Sequence, residues 1–257
     1  MKRRVIFYIL LLFFIAVFII SAIQIFRIQS EYSKGVKEYD NLFNQAIILD
    51  SDKVEAITSE TEAPSTILGF SIDYDELYSI NNDYIGWIYI PDTVINYPLV
   101  SSSDNDYYLH RTFLKEYNFA GTLFLDYLTK DLSHSNVIIY GHRMNNGSMF
   151  ADLEKYLKDT FYEEHNKIYI FTKHELFEFE IISCRVVGLE DECYTVGFSD
   201  TSAFNSWAAR MKDQSRYTTS HALKDNANII TLSTCVRNNE DSRIVVQAQL
   251  VERYLLD

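Results

Sequence analysis

Near the C-terminus, the stretch NIITLSTCVRNNEDSRIVVQAQ (Asn228–Gln249) holds a thiol, Cys235, and a guanidinium, Arg243, eight residues apart. Two runs rich in Ile, Val and Thr, Asn228–Thr234 and Arg243–Leu250, flank a polar turn, VRNNEDS, and this pattern predicts a β-hairpin. Antiparallel pairing would bring Cys235, at the end of the first run, and Arg243, at the start of the second, to one rim of a sheet. A thiolate is a nucleophile, and a permanent cation beside it suits a developing oxyanion. The base such a thiol requires is offered by another apolar run, NVIIYGH, which ends at His142 and passes into a Gly- and Asn-containing loop. Cysteine nucleophiles and their histidines are typically distant in sequence and adjacent in the fold.

The remaining candidates read as bystanders. Cys184, inside FEFEIISCRVV, reads as a buried small apolar residue; Cys193, in LEDECYT, reads as exposed, with acidic neighbours that raise its pKa. Three cysteines cannot all pair, so at least one thiol is free. His110, His134, His165, His174 and His221 lie in polar or helix-edge contexts without a nucleophile partner. Arg237 competes with Arg243, but it lies in the turn and reads as solvated. The cluster Glu190, Asp191, Glu192 lacks the ligand alternation and glycine of a calcium loop, and no phosphate-cradling or dinucleotide motif occurs, so no metal or cofactor is expected.

These residues need a scaffold and a compartment. Val5 to Phe26 is nearly uninterrupted apolar sequence behind Lys2, Arg3 and Arg4, long enough to cross a bilayer and longer than a cleaved leader's apolar core. The charge asymmetry predicts a cytoplasmic N-terminus (1–4), an anchor (5–26) and an extracellular remainder. Residues after 28 carry 19 basic against 36 acidic groups, a balance that excludes nucleic-acid binding. From Gln29 to about Asp50, apolar residues at Tyr32, Val36, Tyr39, Leu42, Phe43, Ala46 and Ile47 predict an amphipathic helix. Asp52–Ser65 reads as a linker, which places the juxtamembrane segment at 27–66 and the catalytic domain at 67–257.

Within that domain a short helix over Asp73–Ile80, capped by Asp73 or Ser71, precedes eight strand candidates. These are Tyr84–Ile90, Tyr97–Val100, Gly121–Asp126, Asn136–His142, Lys167–Thr172, Leu176–Val187, Asn228–Thr234 and Arg243–Tyr254. Eight short strands among few helices predict a mainly β fold closed into a barrel. Helical patterns interrupt it at Phe150–Leu157, Thr160–His165 and Thr201–Arg216, the last between the sixth and seventh strands.

The TLSTC strand end, the following RIVV run, and Tyr140, Gly141, His142 followed by Met149, Phe150, Leu153 and Tyr156 resemble the sortases. The N-terminal helices and the helix between strands six and seven place the resemblance in class B, the membrane-anchored cysteine transpeptidases of Gram-positive bacteria. That resemblance implies an eight-stranded sortase barrel in which Cys235 is the nucleophile, His142 the general acid and base, and Arg243 the oxyanion partner, aided by the Val236 amide. It also implies a peptide groove lined by Asn105, Leu109, Tyr194 and Ser233. The implied partners are secreted proteins bearing a C-terminal sorting motif, cleaved after Thr, and an amine of a lipid II-like peptidoglycan precursor. Two features depart from some class B members: no acidic residue follows the cysteine, and the turn is shorter. The rival readings are a hydrolytic cysteine peptidase or L,D-transpeptidase-like wall enzyme, although LSTCV lacks the His-Gly-Cys grouping of the latter, and a non-catalytic anchored scaffold.

Overall fold

The computed structural model describes residues 2–49 and 68–256, so the expected linker at Asp52–Ser65 lies outside the described residues. One continuous helix, α1 (Lys2–Ala46), carries the apolar span and the amphipathic segment together. It is the one described helix long and apolar enough to cross a membrane. Beyond the span its Tyr39, Leu42 and Ala46 are buried against the folded body, as their spacing predicts. Burying Leu42 alone contributes about 1.5–3 kcal/mol. The packed body therefore includes this helix and begins well before Ile67. The helix stops four residues short of Asp50: Ile47, expected on its apolar face, opens β1 (Ile47–Leu49), which pairs antiparallel with β2 (Phe70–Ile72). Helix α2 (Tyr74–Ile80) follows, and of its two candidate caps Asp73 is the one used, its carboxylate accepting from the Glu76 amide.

The eight expected strands all form. They are β3 (Tyr84–Tyr89), β4 (Asn96–Val100), β5 (Leu123–Leu125), β6 (Asn136–Tyr140), β7 (Lys167–Phe171), β8 (Glu175–Gly188), β9 (Ile229–Val236) and β10 (Asn239–Leu255). They close a barrel in the order β10-β8-β7-β3-β4-β5-β6-β9, with parallel pairs at β4–β5 and β6–β9. Its interior is filled by large apolar residues, among them Ile88, Leu99, Leu123, Ile139 and Leu232, all fully buried, while Trp87 on the opposite face of β3 packs near Phe43 of α1. Phe150–Leu157 is a 3₁₀ segment, followed by α3 (Asp159–Glu164).

Between β8 and β9, α4 (Thr201–Asp213) starts at Asp200, whose carboxylate accepts from the Ala203 amide. Phe204, Trp207, Ala208 and Met211 form its inner face and pack on Ile182, Val187, Ile229 and Val245, on the outer surface of β8–β9–β10. The alternating residues of β9 thus meet two environments: Ile230 and Leu232 face the barrel core, while Ile229 belongs to the second cluster under the β8–β9 connection.

Candidate active site

The β9–β10 hairpin is tighter than the sequence suggests. Strand β9 continues through Val236 and β10 restarts at Asn239, leaving a two-residue turn in which Asn238 takes φ 56°. That positive φ suits Asn, a residue tolerated there in tight hairpins. An irregularity between Asn239 and Arg243 absorbs the remaining polar residues and sets Arg243 directly opposite Cys235. Direct cross-strand partners share a face of the sheet, so thiol and guanidinium leave the same side.

On its other edge β9 runs parallel to β6, with Tyr140 opposite Ser233. Two residues further on each strand stand His142 and Cys235. Strand β6 itself ends at Tyr140, two residues before the expected end, yet the chain stays in register: the Gly141 amide donates to the Ser233 carbonyl (3.3 Å) and Thr234 Oγ1 donates to the Gly141 carbonyl (2.8 Å). Gly141 is required by packing. A Cβ there would lie 2.2 Å from Leu123 Cδ2 and 2.7 Å from Phe150 Cδ2.

His142 is held at both ends. Its carbonyl accepts from the Phe150 amide (2.9 Å), and its Nε2 lies 2.8 Å from the Leu109 carbonyl. A carbonyl only accepts, so Nε2 carries the proton of this bond and Nδ1 is left for proton exchange. Burial lowers the pKa of His142, opposed by the Leu109 bond and reinforced by His110. His110, read from sequence as without a nucleophile partner, stands with its ring centroid 6.0 Å from that of His142.

Cys235 is half-buried and free; Cys184 and Cys193 are free and fully buried. Burial pushes the Cys184 thiol up to about 12. The expectation for Cys193 is corrected in position, since it is buried under α4, and its thiol is raised first by desolvation and then by Asp191. The acidic cluster is likewise not simply solvated: Asp191 pairs with Arg185 (2.8 Å) and Glu192 with Arg210 (3.1 Å). Arg243 donates through Nη1 to the carbonyls of Glu240 (2.7 Å) and Ser242 (3.1 Å), which fixes its stem at the rim. Arg237 is 59% exposed and lies 4.0 Å from Glu154, in keeping with a solvated turn residue.

The four residues expected as peptide contacts are tied to the surroundings of Cys235 and His142, Ser233 on β9 itself and the others through hydrogen bonds. Tyr194, from the β8–β9 connection, shares a 2.9 Å hydrogen bond with the buried Ser233. Desolvation raises its phenol to about 12, with the Ser233 bond and the Arg243 charge acting against that rise. Leu109 gives its carbonyl to His142, and Asn105 donates to Asp126 Oδ2 (2.8 Å) while accepting from the Tyr127 amide (3.0 Å). Two residues that sequence reasoning did not count among the site residues join this network. Asp126 is buried and also accepts from the Tyr140 hydroxyl (3.0 Å); the Tyr140 ring stacks on that of Tyr194 at 6.4 Å. The signal for Asp126 was a carboxylate ending an otherwise apolar strand, GTLFLD. Among the described residues no cluster of His, Cys, Asp and Glu is arranged to hold a metal ion.

Comparison with known proteins agrees with this geometry. A Sortase domain family model matches residues 88–251. Sortase B of Listeria monocytogenes is 36% identical over 228 residues, covering 87% of this chain and 92% of that protein. Sortase B of Staphylococcus aureus is 31% identical over 183 residues, covering 70% and 75%. Among solved structures, sortase B from Bacillus anthracis in complex with AAEK1 superimposes with a TM-score of 0.70 at 31% identity, over 87% of this chain and 99% of that one. A Staphylococcus aureus sortase B–substrate complex gives 0.65 at 30% identity, over 70% and 85%. By domain match, by relatives and by a closed eight-stranded barrel with its helix between the sixth and seventh strands, the chain belongs to the sortase family and is of the sortase B type.

Proposed function

We propose that this chain is a membrane-anchored cysteine transpeptidase that joins secreted proteins to the cell wall. Cys235 passes its thiol proton to His142 Nδ1, and the thiolate attacks the carbonyl carbon of a Thr in a C-terminal sorting motif, forming an S–C bond and a tetrahedral oxyanion. The Arg243 guanidinium, permanently charged, and the Val236 amide stabilise that oxygen. As the C–N bond breaks, His142 gives a proton to the departing amine, leaving a thioacyl-enzyme. An amine of a peptidoglycan precursor then attacks the thioester carbonyl, yields its proton to His142 and expels the Cys235 sulfur. The chain needs no cofactor for these steps.

The observation that carries this reading is the placement of Cys235 on β9 between Arg243, its direct partner on β10, and the parallel β6 that leads to His142. Asn105, Leu109, Tyr194 and Ser233 are the peptide contacts in this reading, and the likeness to a Staphylococcus aureus sortase B–substrate complex supports substrate binding by this fold. The apolar span of α1 serves as the anchor, with residues 1–4 cytoplasmic and the barrel outside. Fluorogenic peptides with NPQTN-like, SPKTG-like and LPXTG-like motifs, offered with amine acceptors, test the reading. Motif-dependent cleavage with amide product supports it; cleavage to the free acid alone, unaffected by amine, points to a peptidase.

A further inference from the structure

The helix that leaves the membrane span is built into the supports of His142. Tyr39, on α1, is buried at 4% exposure, and its hydroxyl donates to the Gly121 carbonyl and lies 3.2 Å from Thr122 Oγ1. Gly121 and Thr122 back the peptide that holds the imidazole. The Thr122 amide donates to the Tyr108 carbonyl (3.0 Å), and Gly121, at φ 61°, packs so closely that a Cβ would fall 2.6 Å from the carbonyl oxygens of both Tyr108 and Leu109. The Leu109 carbonyl is the group bonded to His142 Nε2.

A second path runs from the same side chain. The Tyr39 ring meets Tyr97 edge-on, with centroids 5.2 Å apart and planes at 89°. The Tyr97 hydroxyl accepts from the Met149 amide (3.0 Å), and Met149 is held at φ 57°, a conformation a residue with a side chain keeps only when its surroundings impose it. The next residue, Phe150, donates its amide to the His142 carbonyl. One tyrosine thus braces the peptide that fixes the imidazole and the loop that fixes the backbone of the same histidine.

We propose, resting on the transfer chemistry assigned to His142 above, that Tyr39 is a positioning residue for His142 and that the juxtamembrane half of α1 is part of the catalytic scaffold as well as a tether. Tyr39 hydrogen-bonds to Gly121 and Thr122 and to none of Asn105, Leu109, Tyr194 or Ser233, so its contribution falls chiefly on proton transfer. Burial keeps its phenol protonated, so the donor is present throughout the working pH range.

The test is Tyr39→Phe in the full-length protein in detergent or nanodiscs, which removes the hydroxyl and keeps the ring. Three readouts are compared with wild type: thermal stability, the kcat and KM for a cleaved sorting peptide, and the His142 titration by NMR with 13C-labelled histidine. The other titratable or charged groups around His142 are His110, Arg143 beside it in sequence, and Cys235 and Arg243 at the rim; the substitution alters none of them. The expected result is a kcat lowered about tenfold, KM within about twofold, and a His142 titration moved upward toward the ordinary imidazole value as water reaches the loosened ring. Tyr97→Phe, which removes the acceptor of the Met149 amide, is expected to move the same readouts in the same direction and serves if Tyr39→Phe does not fold. A folded Tyr39→Phe with unchanged kcat and unchanged His142 titration overturns the proposal. If wild type transfers no acyl group, the transpeptidase reading has failed, and the titration alone decides whether Tyr39 positions His142.

Discussion

Arg243 and Cys235 are direct antiparallel partners across the β9–β10 hairpin, eight residues apart in sequence and one strand spacing apart in space. This register makes Arg243 specific. A lysine at the same place would keep the charge but lose the planar fork that can stay bonded to the Glu240 and Ser242 carbonyls while offering a donor to an oxyanion. Arg243→Ala is expected to lower kcat by about 10²–10³, the usual scale for losing one oxyanion donor, and Arg243→Lys to recover little of it. Steady-state kinetics with a cleaved sorting peptide check this, with KM changing far less than kcat.

Only one of the three thiols should react in the folded protein. Cys184 and Cys193 are fully buried with raised pKa values, while Cys235 is half-exposed at the rim. Brief iodoacetamide treatment followed by peptide mapping is expected to label Cys235 alone, and treatment in denaturant to label all three.

Gly141 has no room for a side chain. Gly141→Ala would drive a Cβ into Leu123 and Phe150, and relief requires moving the segment that carries His142. The expected cost is about 1–3 kcal/mol of stability, the range for overpacking a filled core, together with a larger loss of kcat/KM than a remote variant of equal stability shows. Urea unfolding and kinetics on the same preparation measure both.

Burial of His142 gives stability a defined pH dependence. Its folded pKa lies below the ordinary 6.5, so between the two values the unfolded chain binds more protons than the folded one. Stability from this group is therefore complete above about 6.5 and is lost as pH falls through the lower folded value. Urea midpoints measured from pH 5 to 8 should rise with pH across this window in wild type, and His142→Gln should show a shallower rise.

The juxtaposition of Cys235, Arg243 and the strand leading to His142 was legible because each of these proposed catalytic residues ends or begins a strongly patterned strand, in TLSTC, SRIVV and NVIIYGH. The barrel was legible for the same reason, since runs of β-branched and aromatic residues mark most of the eight strands. What was not legible depends on tertiary packing. Nothing local in LEDECYT reveals that α4 will cover Cys193. The polar run VRNNEDS does not announce that two of its residues turn while the others stay in an irregular strand. The spacing of Tyr39, Leu42 and Ala46 marked an amphipathic helix, but not that its tyrosine would reach Gly121 and meet Tyr97 edge-on. Asp126 became part of the site only when β5 and β6 paired and brought Tyr140 to it.

The central claim is that Cys235 carries the acyl group. Mass spectrometry of the protein quenched during turnover of a sorting-motif peptide tests it most directly. The account predicts an adduct of the acyl fragment on Cys235, absent in Cys235→Ala, persisting in His142→Ala and Arg243→Ala only at greatly reduced turnover, and discharged to an amide by added amine. A folded protein that forms no adduct with any of the peptides, and whose Cys235 also resists alkylation, would contradict it.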